Sequence, residues 1–168
     1  MVRIDWSRWA PPGRDARQEA VRFLWGLGGG AALAWVWFLA RYWNARSQLF
    51  VVKNGRRVLS EGRMMQDLPE VIGISFLGLW AVLLWAAVTA ALHYADHYRE
   101  GSRPVYLMRR LPDRWEYHRR CLAIPGAAAL LAAVLIPAFL MLFYVIYVNC
   151  TPAACLPPDQ WQKIWRVL

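Results

Sequence analysis

Across three long stretches this sequence has no aspartate, glutamate, lysine or arginine: Phe23 to Ala40, Val71 to Leu92 and Leu122 to Val148. Ion- and proton-coupled transporters usually need ionisable groups within the membrane. Their absence excludes a chain that couples an ion gradient to work by itself, and three helices are few for a solute path. There is no G-x-x-x-x-G-K-[ST] loop and no Gly-rich dinucleotide fingerprint behind a strand, which excludes those phosphate-binding routes. Histidine is scarce, with three residues in all, so no Ser/His/Asp arrangement is credible and no enzymatic activity is expected. No cofactor is expected, and there is no internal repeat or low-complexity tract.

What is present is apolar and blocked. Hydrophobic residues make up 58% of the 168 residues and charged residues 18%, yet the net charge is +9. The charges lie between the apolar runs, the pattern of a membrane protein with basic connecting segments. Eleven tryptophans and seven tyrosines fit that class, because amphipathic rings favour the headgroup level. The basic residues sit beside spans rather than on one continuous face, so no nucleic-acid partner is expected. At about 1.5 Å per residue, each run is long enough to cross a hydrocarbon core of about 30 Å. The first is not expected to be a cleaved leader from Met1. Its apolar core exceeds the usual ~7–15 residues, and large residues follow it.

Orientation follows from Lys and Arg. The segment before the first run and the loop between the second and third carry twelve together, against eight on the other side. The positive-inside rule then predicts an N-terminus inside and a C-terminus outside. On the predicted outer side, Cys150 and Cys155 bracket TPAA and can close a small disulfide ring; two separate thiols are the alternative. Cys121 falls inside and stays a thiol.

The segments between the runs have their own patterns. Trp6 and Trp9 mark an N-terminal piece at the interface, broken by Pro11, Pro12 and Gly13, with a helix from Asp15 leading into the membrane. Gly26, Gly30 and Ala34 recur every four residues and make a smooth face that admits another helix closely. LFVVKNGRRVLS reads as a hairpin turning at Asn54-Gly55. Met64, Met65 and Leu68 are spaced for a short interfacial helix. In the tail, Trp161, Ile164, Trp165 and Leu168 form one stripe on a helix begun by Pro158 and Asp159, expected to lie flat on the membrane or to pack on a partner. His93 and His97 stand at i, i+4, the spacing of two metal ligands, and H-x-x-D-H resembles the inverted zincin pattern with Asp in place of Glu. A third ligand could come only from His118 or an acid of the same loop. A polar, aromatic exit of the second span explains the cluster without metal, and no metal is expected.

The loop after the second span reads REGSRPVYLMRRLPDRWEYHRRC. Ser102 can cap a short helix over Val105 to Arg110. Leu107, Met108 and Leu111 share its apolar face, with Arg109 and Arg110 off it. Pro112 ends that helix and suits the first position of another, which runs into the third span. Apolar anchors beside arginines favour a protein contact.

On Tyr106, Leu111, Pro112 and Arg114 the loop resembles the coupling loop of bacterial ABC exporter permeases of the six-helix type 2 class. The longer string HYREGSRPVYLMRRLPDRWEYHRRC, with ACLPPDQWQKIW, resembles small membrane proteins of gut Clostridia that accompany ABC transporter components. The resemblance implies docking on an ATPase through Tyr106, Leu107, Met108, Arg109, Arg110, Leu111, Pro112 and Arg114. The chain departs from the permeases in having three spans, which implies half a permease, an accessory subunit or a homodimerising unit.

The expectation is an all-α protein of the bacterial cytoplasmic membrane with three transmembrane helices, its partners the lipid bilayer, an ABC ATPase subunit and another membrane subunit or second copy. Its expected parts are a cytoplasmic interfacial segment 1–21, spans at 22–43, 70–95 and 122–149, an extracytoplasmic loop with a short β-hairpin at 44–69, a cytoplasmic coupling-like loop 96–121 and an extracytoplasmic amphipathic tail 150–168. The rival expectation is a membrane scaffold or regulatory protein that meets no ATPase.

Overall fold

The computed structural model describes residues 15–53, 56–60, 62–98 and 114–164. Three helices are long and apolar enough to span a membrane. They are α1 (Ala16–Ser47), α3 (Leu77–Tyr98) and α4 (Arg114–Cys150). Only 28%, 22% and 22% of their most apolar windows are buried within the chain. The outward faces carry Leu24, Trp25, Val36, Leu84, Leu130 and Val134. A water-soluble helix of this length would turn a polar face outward; these turn apolar faces outward, as a multi-pass membrane protein does.

The chain divides into two compact units, residues 1–30 with 78–134 and residues 31–77 with 135–168. In the first, Asp15 opens α1: its Oδ1 accepts the backbone N–H groups of Arg17 at 2.9 Å and Gln18 at 3.3 Å. Glu19 in the first turn suits the helix dipole. Burial follows helical spacing. Ala16, Phe23 and Leu27 are buried on α1, Leu79, Val82, Ala86, Thr89 and His93 on α3, and Cys121, Ile124, Ala128 and Ala132 on α4. Phe23 stacks on Trp85 at 4.5 Å.

The second unit is built on aromatic rings and polar ties. Phe38 stacks on Phe143 at 4.0 Å and 8°. Phe76, Trp35 and Phe139 surround the same ring, and Tyr42 meets Tyr147 edge-on. β1 (Phe50–Lys53) pairs antiparallel with β2 (Arg56–Leu59), from Phe50 opposite Leu59 to Lys53 opposite Arg56. The hairpin is where the sequence places it; its Asn54-Gly55 turn lies outside the described residues, as does the interfacial segment through residue 14.

The structure departs from the sequence reading in four places. The first helix begins at Ala16, in keeping with a helix from Asp15 leading into the membrane, but it ends at Ser47, past the expected span 22–43. The run Val71 to Leu92 is not one helix. α2 (Leu68–Ile72) stops at Gly73, which takes φ 49, and α3 starts only at Leu77. Glycine meets this left-handed φ without a Cβ penalty. Met64 and Met65 precede α2 rather than lying on it, because Pro69 sits in its first turn, where proline starts helices.

The fourth departure is the tail, which packs on its own chain. α5 (Gln160–Lys163) follows Asp159, and Ile164 is buried while Trp161 remains exposed, edge-on to Tyr144. The cause is polar: Gln160 Oε1 accepts the Leu68 N–H at 2.9 Å, and Gln160 Nε2 and Lys163 Nζ both donate to Asp67 at 2.9 Å. Asp67 makes no side-chain cap to α2, and Gln160 supplies that acceptor instead. The Met65 N–H donates to the Cys155 carbonyl and the Tyr147 hydroxyl to the Gln66 carbonyl, tying the same segments. Trp165 and Leu168 lie outside the described residues.

Candidate functional site

Of the residues expected to dock a partner, Tyr106, Leu107, Met108, Arg109, Arg110, Leu111 and Pro112 lie outside the described residues, and Arg114 is the first residue of α4. Gly26 and Gly30 face α3 of the same chain. A Cβ on Gly26 would lie 2.9 Å from the Trp85 ring, and one on Gly30 3.1 Å from the Gly78 carbonyl carbon. The small face therefore admits a helix closely, and that helix is intramolecular. Ala34, in the second unit, is fully buried.

Cys150 and Cys155 are separate thiols in this structure, the second of the two arrangements their spacing allows. Cys150 is exposed at the end of α4. Cys155 is buried in a 3-10 turn (Ala153–Cys155), where its N–H donates to Pro152 and its carbonyl accepts from Met65. Those bonds hold Cys155 toward the interior of its unit while Cys150 faces out.

His93 is the polar residue that the fold brings to the centre of the first unit. On α3 it falls on the buried stripe of Leu79, Val82, Ala86 and Thr89, spaced by three and four. Its Nδ1 lies 2.9 Å from the Cys121 carbonyl oxygen of α4, and its Nε2 lies 3.3 Å from Glu19 Oε1 of α1. The two side chains are 1% and 13% exposed. At the next residue of α3, the Tyr94 hydroxyl shares a 3.1 Å hydrogen bond with His118 Nδ1. Thus His93 and His118 each find a partner on another helix, and among the described residues no group of three or more His, Cys, Asp or Glu is placed to hold a metal.

Glu19 escapes a reading that looks only for charges inside apolar runs, because it precedes Phe23. The available signal is its phase: Ala16, Glu19, Phe23 and Leu27 fall on one helical face, so a carboxylate sits on the apolar stripe. Glu19 also borders a cavity of about 410 Å³, with Asp15, Gln18, Arg22, Phe23, Trp85, Thr89 and Leu92 on its walls. Chemically, a buried imidazole and carboxylate at this distance can hold a proton between helices.

Comparison with family models, with curated proteins and with solved structures returned no match.

Proposed function

We propose that this chain is a non-catalytic transmembrane subunit of a bacterial ABC-type exporter, docking on a separate ATPase through its loop before Arg114. The N-terminus and that loop face the cytoplasm, and another membrane subunit or a second copy completes the complex in the cytoplasmic membrane. The observation that supports this reading is α4. It runs without interruption from Arg114 through Pro125 and Pro137 to Cys150. A short docking helix joined to such an element can pass a partner's movement into the span.

Replacing Leu107, Met108 and Leu111 together by Asp is expected to lower co-purification of the ATPase in mild detergent more than tenfold. Each lost apolar anchor costs about 1 kcal/mol or more. Helix content measured by circular dichroism should not change. ATPase association equal to that of the unaltered chain would remove docking from this loop, and absence of any ATPase would favour the membrane scaffold.

Orientation has its own test. Cys150 is exposed, whereas Cys121 and Cys155 are buried. A membrane-impermeant maleimide added to intact spheroplasts is expected to label Cys150 and to lose its target in Cys150→Ser. Labelling only after the membrane is broken would reverse the topology and place the proposed docking loop on the wrong side.

A further inference from the structure

The contacts of His93 decide where its protons sit. A carbonyl oxygen only accepts, so the 2.9 Å contact to Cys121 requires a hydrogen on Nδ1. A neutral imidazole has one N–H, and with it on Nδ1 the other nitrogen presents a lone pair. That nitrogen, Nε2, is 3.3 Å from Glu19 Oε1. An ionised carboxylate also presents only lone pairs. A neutral His93 facing an ionised Glu19 would therefore oppose two acceptors in a buried place, an arrangement that costs the desolvation of both. One proton resolves the conflict, either as imidazolium against carboxylate or as imidazole accepting from a carboxylic acid.

We infer that Glu19 and His93 form a proton-binding site that holds one proton between α1 and α3. The ligand is the proton itself. The cavity bordered by Glu19 is about 410 Å³, room for several waters at about 30 Å³ each, and Asp15, Gln18, Arg22 and Thr89 among its lining residues offer polar groups for exchange. Among the described residues, the other charged or titratable groups near the pair are Asp15 and Arg22 on α1, both on the cavity wall, and His118, Arg119 and Arg120 on α4, just before Cys121 in sequence. Asp15 is already engaged as the cap of α1. From α3, Thr89 lines the cavity and adds no charge.

Loss of the proton leaves the two acceptors opposed and pushes the start of α1 away from His93. Binding of the proton closes that contact while Nδ1 stays fixed to α4. The packing of the first unit thus depends on one proton, whether or not an ATPase docks on the chain. Ionisable pairs inside membrane bundles are the usual means of binding protons there.

The test is nitrogen-15 NMR of histidine-labelled full chain in lipid nanodiscs at pH 7, with infrared spectra of the same samples and His93 assigned by loss of its signal in His93→Asn. Two results support the site: a protonated Nε2 with no acid carbonyl band that Glu19→Gln removes, or an unprotonated Nε2 with such a band. In Glu19→Gln the amide N–H can donate to Nε2, so the protonated Nε2 signal, or the acid band, is expected to vanish. An unprotonated Nε2 with no such band, protons on both groups, or a protonated Nε2 that persists in Glu19→Gln would overturn the proposal. Should that variant fail to fold, the count of protons in the unaltered chain decides the matter, with the acid band assigned by carbon-13 labelling of glutamate.

Discussion

Phe143→Ala is expected to cost the second unit about 3 kcal/mol, the lower end of the range for removing a buried aromatic side chain. The lower end applies because hydrocarbon surrounds a span. Part of the transfer free energy that drives burial from water is missing there, and dispersion and packing carry the remainder. Phe143 is fully buried and is the ring on which the others converge: Phe38 at 4.0 Å, Trp35 and Phe139 at 5.8 Å, Phe76 at 5.9 Å. Rigid rings on several sides cannot collapse into the space left, so the cavity persists. Phe143→Leu keeps more of the volume and should lose distinctly less. Unfolding of purified protein in mixed detergent micelles measures both, and equal losses for Ala and Leu would mean that the cluster does not behave as one packed core.

Gly78→Val is expected to destabilise the first unit by about 1–3 kcal/mol through overpacking. A Cβ on Gly78 would lie 2.9 Å from the Gly30 Cα, and a Cβ on Gly30 would meet the backbone of Gly78 at 3.1 Å. Backbone cannot rotate aside as a long side chain can, so α1 and α3 must separate and lose contacts along their shared face. Gly28 provides the contrast, since nothing lies within 4 Å of a Cβ placed there. Gly28→Ala is expected to be neutral or to gain up to about 1 kcal/mol from helix propensity. The same micelle unfolding experiment compares the two. Similar losses at both positions would show that helix propensity, and not close approach, sets the effect.

Much of this architecture is legible along the chain, for a specific reason. A hydrocarbon core forces backbone groups to pair within a segment, so apolar length alone predicts a helix. That is why all three spans and their approximate limits can be read from runs without charge. The hairpin is equally legible, because two β-prone runs around Asn54-Gly55 leave little choice of register. The helix ends are less so. The start of α1 is readable at Asp15, but its end at Ser47 lies past the apolar run, and the break between α2 and α3 depends on Gly73 turning inside an otherwise apolar run.

Local sequence determined the three apolar spans, the hairpin and the small-residue face of α1, because each depends on residues close together in the chain. Tertiary structure alone decided which partners the polar side chains took. His93 reads locally as the neighbour of His97, yet its ring spans from Glu19 to the Cys121 carbonyl. Gln160 reads as one polar position on a tail helix, yet it takes the orphan N–H of Leu68, 92 residues away. A buried donor or acceptor must be paired wherever its partner lies, and that distance along the chain is the information a local pattern does not contain.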